Sequence, residues 1–306
     1  MRPAWSVIIF TTIAGAGQGL FLMLVLGDAV FGLPGDLLFA GAVVVLCLTG
    51  AGLVSSTFHL GHPERGWRAA AMWRTSWLSR EVIVLPAFMA SIFFWAAGLW
   101  LEWSDGLMAL LVALGIATAL LLYLCTAMIY ACLPFLQEWR TPLTVFNYFA
   151  IGLTTGAFAA ALLSALLYPP IGVVFAMGAL VIGSFAYLGR LASLARNARL
   201  RPKSSLATAT GVKHPKIVQI AQGSMGGSFN TREFFHGRPR EVVRTFRLAM
   251  LALLLPVPSL LVLAGGASVV VLALALASHY AGALAERWYF FAEARHPQNL
   301  YYQAIA

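Results

Sequence analysis

Long apolar segments separated by short polar stretches run along the whole chain. Eight of them are about 20 residues or more, the length needed to cross the hydrocarbon core of a bilayer. Backbone polar groups in lipid must be hydrogen bonded within their own segment, so each segment predicts a helix. The sequence therefore predicts an all-α, polytopic membrane protein that forms one domain over residues 1–306. The predicted spans are residues 5–26, 38–60, 80–101, 106–133, 144–167, 171–194, 244–264 and 267–291.

Composition agrees with a membrane location and excludes a soluble enzyme. Of the 306 residues, 60% are hydrophobic and 10% are charged, whereas soluble domains carry about 25% charged residues. The three cysteines lie inside apolar segments without CxxC spacing, so we expect no metal centre in this chain. The first segment, with its run AGAGQG, resembles a cleaved signal peptide, but its length favours a permanent span.

The basic residues set the predicted orientation. When the two sides of the predicted spans are counted alternately, all 20 Lys and Arg residues fall on the same side. Lys and Arg are retained on the cytoplasmic face. We therefore expect both termini in the cytoplasm and a multi-pass protein of the bacterial inner membrane. The links on the opposite side carry the acidic residues Asp28, Asp36, Glu102 and Asp105.

Two segments on the basic side are long enough to form surfaces, a motif loop at residues 61–79 and a longer loop at residues 195–243. The longer loop mixes Lys and Arg with aromatic residues such as Phe229, Phe234 and Phe235. Aromatic and Arg residues are enriched in interface cores, so we interpret this loop as a docking surface for an acidic soluble partner. Attraction to anionic lipid is the alternative, and nucleic acid is not expected as a partner.

Ionisable and aromatic side chains concentrate at the junction of the second and third predicted spans, in the stretch FHLGHPERGWRAAAMWRTSWLSREV. Such a mixture suits a quinone, which has a flat apolar ring, two carbonyls that accept hydrogen bonds and a need for two protons on reduction. His59 is the candidate carbonyl ligand or proton donor, because the ordinary pKa of histidine lies near the working pH. Glu81 is the candidate carrier of protons to or from the cytoplasm.

Other residues of this stretch have weaker candidate roles. Arg65 and Arg68 would contact a partner or orient the quinone head, and Trp73 or Trp77 would stack on the ring. The alternative is an interfacial belt, in which Trp residues anchor at the headgroup level, Arg side chains extend to water and Ser79 caps the next helix. Spacing alone does not separate the two interpretations.

Haem binding and transport find less support. Membrane quinol modules often hold a haem between two histidines, but only His59 and His279 lie within or at the ends of spans, at different depths, so no haem is expected. A hydrogen bond between helices is the alternative role of His279. Proton-coupled transporters usually carry carboxylates or histidines near the midplane and often inverted repeats. Neither is visible, and Glu286 with Arg287 lies only in the last turns of the eighth span.

Two local features concern helix packing. Pro256 and Pro258 should kink the seventh span, although proline is tolerated in membrane helices. Gly152 and Gly156 lie at four-residue spacing, which indicates close contact with another helix more often than a ligand site.

The stretch HLGHPERGWR…SWLSREV resembles the motif of the membrane anchor subunits of the dimethyl sulfoxide reductase (DmsC-type) family, approximately HLG-x-P-x-R-A followed by an acidic residue that opens the next helix. The eight-span plan agrees with that family over the whole chain. The resemblance implies an anchor that binds menaquinol, carries no haem and exchanges electrons with an iron–sulfur subunit, which serves a molybdopterin catalytic subunit. It maps the quinol-site His and Glu of the family onto His59 and Glu81. His62 is a departure, since this position is often small and polar in the reductase anchors.

Within the family, the opening MRPAWSVIIFTTIAGAGQGL and the loop HPKIVQIAQGSMGGSFNTREFFHG look most like the branch that serves cytoplasmic sulfite dehydrogenases. The resemblance then implies a protein that is not catalytic alone at the molybdenum step and passes electrons from sulfite oxidation to ubiquinone or menaquinone. Two alternatives stay open. One is a quinol-oxidising anchor of a sulfoxide or oxyanion reductase, and the other, from another class, is a membrane transporter.

Overall fold

The computed structural model describes residues 1–58, 60–218, 220 and 234–300. Within these residues the chain is all-α, and eight helical spans are long and apolar enough to cross a membrane, as the sequence predicts. Two 3₁₀-helices, Pro63–Met72 and Pro297–Leu300, lie outside the spans. The α-helices are α1 (Trp5–Phe31), α2 (Gly35–Thr57), α3 (Trp77–Trp100), α4 (Asp105–Ala131), α5 (Pro142–Leu167), α6 (Pro169–Asn197), α7 (Leu206–Thr210), α8 (Arg240–Leu253), α9 (Pro256–Gly265) and α10 (Val269–Glu293).

The seventh span is made of two helices. α8 and α9 form it together, and the chain breaks between them at Leu254 and Leu255. Neither Pro256 nor Pro258 has a backbone N–H, so helical hydrogen bonding cannot continue through them. The predicted kink is confirmed as a break, with Leu255 at φ −142° and ψ −50°.

A carbonyl group at this break finds its partner on α10. Pro258 cannot donate to the Leu254 carbonyl oxygen four residues earlier, and Nδ1 of the buried His279 lies 2.7 Å from that oxygen. A carbonyl can only accept, so Nδ1 is the donor. The other ring nitrogen, Nε2, lies 3.0 Å from Thr155 Oγ1 of α5. His279 therefore joins three spans, which supports its interhelical role.

α1 is the most buried of the eight spans in the described part of the chain, and it packs against α2, α4, α5 and α10. Its glycines bring the backbones of α1 and α5 into direct contact. A Cβ atom on Gly156 would lie 2.1 Å from the Gly19 carbonyl carbon, and one on Gly19 would lie 2.3 Å from the Gly152 carbonyl oxygen. The close packing predicted at Gly152 and Gly156 is confirmed, and the run AGAGQG belongs to the centre of the bundle.

Most basic residues gather at one end of the bundle, which we call the positive end. Hydrogen bonds tie its segments together. The α-amino group of Met1 donates to the Ala294 carbonyl oxygen at 2.9 Å, and Arg196 donates to the Gln137 carbonyl oxygen at 3.0 Å. The positive end comprises the N-terminus, the described residues between α2 and α3, residues 132–141, the described residues between α6 and α8, and residues 294–300.

The long loop at 195–243 packs partly on the positive end. Phe234 stacks on His296 with ring centroids 3.7 Å apart and planes 12° from parallel, and Phe235 is buried. Both aromatic side chains therefore contribute to packing within the chain. Phe229 and the rest of residues 221–233 lie outside the described residues. The docking role of this loop stays a prediction.

The α1–α5 contact generates a first prediction. Gly156→Ala should lower the stability of the bundle by about 1–3 kcal/mol or more, because the added methyl group meets backbone atoms that cannot move aside. Gly178→Ala in α6 is the matched control, since its Cβ would have no heavy atom within 4 Å. Thermal unfolding of both variants in mild detergent measures the difference. Equal melting temperatures would show that α1 and α5 are not held this closely.

The His279 bonds generate a second prediction. His279→Leu should destabilise the bundle by about 1–2 kcal/mol, because the Leu254 carbonyl loses its donor in an apolar surrounding. Pro258→Ala restores a backbone N–H near that carbonyl, so His279→Leu should cost less in the Pro258→Ala background. A double-mutant cycle by thermal unfolding measures this coupling. Additive effects of the two changes would contradict it.

Candidate functional site

The start of α3 positions the main candidate residue. Ser76 caps this helix, because its Oγ accepts a hydrogen bond of 3.3 Å from the backbone N–H of Ser79. Ser79, which the sequence suggested as the cap, is instead buried in the first turn. The helix begins at Trp77, earlier than predicted, and this shift places Glu81 in its second turn, inside the end of the bundle.

The Glu81 carboxyl group is buried between α3 and α4. The residue is 4% exposed, and Thr126 Oγ1 of α4 donates to its Oε1. No ion pair forms at Glu81 within the part of the chain that the structure describes. A buried carboxyl group with a hydroxyl partner and no fixed counter-charge is chemically suited to take up and release a proton.

Arg80 joins the motif loop to the start of α3. Its Nε and Nη2 donate to the carbonyl oxygens of Trp73 and Arg74, each at 2.9 Å. Its guanidinium carbon also lies 4.2 Å from the centroid of the half-buried Trp77 ring. This arginine, whose role the sequence does not reveal, thus fixes the loop backbone to the turn that precedes Glu81.

The remaining candidates of the motif loop lie on its surface. Trp73 is 52% exposed, and Arg65 and Arg68 occupy exposed positions of the 3₁₀-helix Pro63–Met72. Among the described residues, no ion pair joins either arginine to Glu81. Trp77 lies one helical turn before Glu81 on the same side of α3. The other three side chains are open to solvent, lipid headgroups or a partner.

His59, the other main candidate, lies outside the described residues. Its neighbours are described: Phe58 is the C-cap of α2 and is 80% exposed, and Leu60 is also exposed. α2 packs against α3, and the end of α2 lies on the same side of the bundle as the start of α3. The role of His59 stays a prediction.

A second group of ionisable side chains, which we call the α6–α10 cluster, is buried near the positive end. Arg190 of α6 and Glu286 and Arg287 of α10 are each at most 3% exposed. Arg190 Nε and Arg287 Nη2 lie 3.3 Å from the two carboxylate oxygens of Glu286. Arg190 Nη2 lies 3.3 Å from Glu293 Oε2. The two arginines and two glutamates together carry no net charge. Removing one member of a buried ion pair would leave a buried charge without a partner, which costs about 3–5 kcal/mol.

Two features of the sequence indicate this cluster, although the position of Glu286 and Arg287 near a helix end gave them no predicted role. Ionisable residues inside spans are costly and mark functional or paired groups, and Arg190 lies well inside α6. Glu286 and Glu293 are seven residues apart, so they project from the same face of α10. The partner helix was not visible in the sequence, because no spacing relates α6 to α10.

Groups that ionise near neutral pH also lie at the surface of the positive end. Burial lowers the pKa of the Met1 α-amino group to about 6, against the opposing attraction of Glu138. Burial lowers the pKa of His236 and of His296 as well, and the nearby Met1 α-amino group adds to this effect. These three groups therefore contribute less positive charge at neutral pH than they would in water.

Comparison with known proteins identifies the family of the chain. Residues 1–293 match the family model of the DMSO reductase anchor subunit (DmsC). The chain belongs to the DmsC family. It is also similar to a sulfite dehydrogenase subunit of Allochromatium vinosum, with 49% identity over an alignment of 328 positions that covers all of both chains. No solved structure matches the chain.

Membership in the DmsC family confirms the family predicted from the motif. Together with the eight apolar helices, it makes the chain a multi-pass membrane protein and the membrane anchor of an oxidoreductase. The transporter alternative therefore loses its support.

The residues around Glu81 fit a quinone. Trp77 offers a flat, half-buried aromatic face, and Leu78 and Ile83 of the same helix are 50% and 45% exposed, which gives an apolar surface open to lipid. The Glu81 carboxyl and Thr126 hydroxyl groups, which are buried between α3 and α4, supply proton-exchanging and hydrogen-bonding atoms. Within the described residues, no group of three or more His, Cys, Asp or Glu side chains is arranged to hold a metal ion.

The bonds of Arg80 generate a third prediction. Arg80→Ala should speed amide hydrogen exchange across residues 63–76 at least several-fold, because the loop backbone loses two hydrogen bonds and the stacked guanidinium group. Arg68→Ala is the control, since this exposed side chain makes no hydrogen bond or ion pair within the described residues. Exchange measured by mass spectrometry in detergent compares the variants. The same exchange rates in both would show that Arg80 does not order the motif loop.

Proposed function

We propose that this DmsC-family anchor binds quinone at the start of α3 and passes electrons from sulfite oxidation to the quinone pool. The observation that carries the proposal is the buried Glu81 carboxyl group, bonded to Thr126 and lying just inside the aromatic motif loop. The identity of 49% to a protein named as part of a sulfite dehydrogenase supports sulfite as the source of electrons.

The proposed partners are an iron–sulfur electron-transfer subunit and a molybdopterin catalytic subunit. They dock at the positive end, which faces the cytoplasm of a bacterial inner membrane by the distribution of Lys and Arg. The motif loop presents the exposed side chains of Trp67, Trp73 and Arg68 there, and exposed aromatic and Arg residues are typical of interface cores. The described part of the loop at 195–243 lies at the same end of the bundle and is the second proposed docking segment.

Each residue of the proposed site has its own role in quinone reduction. A bound quinone supplies an acceptor for two electrons and two protons. His59 donates a hydrogen bond to a quinone carbonyl, and Glu81 holds and releases protons at its carboxyl oxygens. Thr126 keeps the carboxyl group in place, and Trp77 stacks on the ring.

The weaker proposed roles, which are to orient the quinone head or to contact the partner, belong to Arg65, Arg68 and Trp73.

The central experiment is sulfite-driven quinone reduction by the intact complex in mild detergent, followed by absorbance of a short-chain quinone. Glu81→Gln should lower the rate at least about tenfold, because general acid–base catalysis contributes about 10²–10⁴-fold where it operates. His59→Ala should abolish quinone turnover. Both variants should keep the sulfite activity of the partner subunits with a soluble dye.

Glu102→Gln is the matched control, because this exposed carboxylate lies at the opposite end of the bundle. It should leave both activities unchanged. Full quinone reduction in Glu81→Gln would refute the site, and loss of the dye activity would point to assembly instead.

The reverse direction is a second candidate, because the matched family is that of DMSO reductase anchors. It uses the same site, with quinol oxidised and a sulfoxide or oxyanion reduced by the partner. A complex that copurifies with its partners but does not respond to sulfite would favour it.

A further inference from the structure

Two small cavities lie between α1, α4, α5, α6 and α10. Each has a volume of about 10 Å³, enough for about one water molecule. The first, the Thr126 cavity, is lined by Gln18, Tyr123, Thr126 and Tyr148 among other residues. The second, the Glu286 cavity, is lined by Glu138, Asn147, Tyr148, Arg190, Glu286 and Arg287 among others. Tyr148 lines both cavities.

Polar atoms around both cavities are buried without a well-aligned hydrogen bond to another described residue. They include the Tyr148 hydroxyl, Gln18 Oε1, Asn147 Oδ1 and both Glu286 carboxylate oxygens. Such atoms rarely stay without a partner, and a buried water molecule commonly supplies it. Both cavities are therefore suited to hold water that bridges these groups.

The residues that line the two cavities form a row between the candidate quinone site and the surface of the positive end. At one side, Thr126 lines the Thr126 cavity and donates to Glu81. In the middle, Arg287 holds the Tyr148 ring between the cavities, with its guanidinium carbon 3.5 Å from the ring centroid. At the other side, Glu138 lines the Glu286 cavity and is half-buried, within reach of solvent.

We propose that this row of groups is a proton path, which runs from Glu138 through water in the Glu286 cavity to Tyr148, and from there to Thr126 and Glu81. The proposal rests on quinone reduction at Glu81. For each quinone, two electrons come from the reduced iron–sulfur partner and two protons come from cytoplasmic water. Each proton passes from Glu138 through the Glu286 cavity to the Tyr148 hydroxyl, then through the Thr126 cavity to Glu81, and both end on the quinone oxygens.

The arginines of the α6–α10 cluster have a positioning role in this path. Arg190 and Arg287 fix the two oxygens of Glu286, and Arg287 also fixes the Tyr148 ring. Arginine does not release its own proton in proteins, so these side chains orient the path without carrying protons. The opposing interpretation is that the cluster serves only to join α6 to α10.

Tyr148→Phe separates the two interpretations, because it keeps the ring under Arg287 and removes only the hydroxyl group. Loss of a buried hydroxyl without a well-aligned bond should leave assembly, melting temperature and dye activity unchanged. If the path operates, sulfite-driven quinone reduction should fall at least about tenfold, and its solvent deuterium isotope effect should rise. Tyr187→Phe is the control, because its hydroxyl donates to the Leu251 carbonyl oxygen at 3.1 Å and lines neither cavity.

Glu138→Gln provides a second test at the surface, where no effect on folding is expected. It should also slow quinone reduction and raise the isotope effect. The path is refuted if wild-type complex and Glu81→Gln behave as proposed while Tyr148→Phe and Glu138→Gln retain the wild-type rate and isotope effect. It is also refuted if Tyr187→Phe slows the reaction as much as Tyr148→Phe. Failure of the proposed function would give a different result from these two outcomes, because the Glu81→Gln complex would then reduce quinone at the wild-type rate.

Discussion

Apolar helices gain little by leaving lipid for one another, so close backbone contact and polar bonds must hold a membrane bundle together. The contact between α1 and α5 meets this constraint most directly, because Gly19 and Gly156 leave no room for a side chain between the two backbones. The other spans build on this pair, with α2, α4 and α10 packed on α1 and α6 packed on α5. Thr126 on α4 and Tyr148 on α5 take their positions from it.

Polar groups inside the bundle follow the same constraint. The seventh span breaks at Leu254 and Leu255, and the buried Leu254 carbonyl, which has no helical partner, accepts a hydrogen bond from His279. Glu286 enters the bundle with an arginine on either side. Glu81 differs from both, since it has a hydroxyl partner and no ion pair within the described residues. A carboxyl group that the fold does not neutralise is the kind of group that proton chemistry needs.

The sequence was sufficient for features that depend on local pattern. Span length and hydropathy predicted eight spans, the two prolines predicted a kink in the seventh, and the motif predicted the family. Features that depend on contacts between two distant segments could not be predicted from the sequence. Thr126 lies 45 residues from Glu81, and Arg190 lies on a different helix from Glu286, so no periodicity could pair them. The role of Arg80 could not be predicted for another reason. Its partners are backbone carbonyls, which are present at every position and carry no signal in a sequence.

The central place of α1 has a consequence for biogenesis. Chains are made from the N-terminus, so α1 (Trp5–Phe31) leaves the ribosome well before α5 (Pro142–Leu167), the helix with which it makes direct backbone contact. Until α5 arrives, the glycine face of α1 and the buried Gln18 side chain must face lipid or the insertion machinery. Closure of the α1–α5 contact is therefore delayed until about half of the chain has been made, and a chain truncated before α5 would present this open face to membrane quality-control proteases.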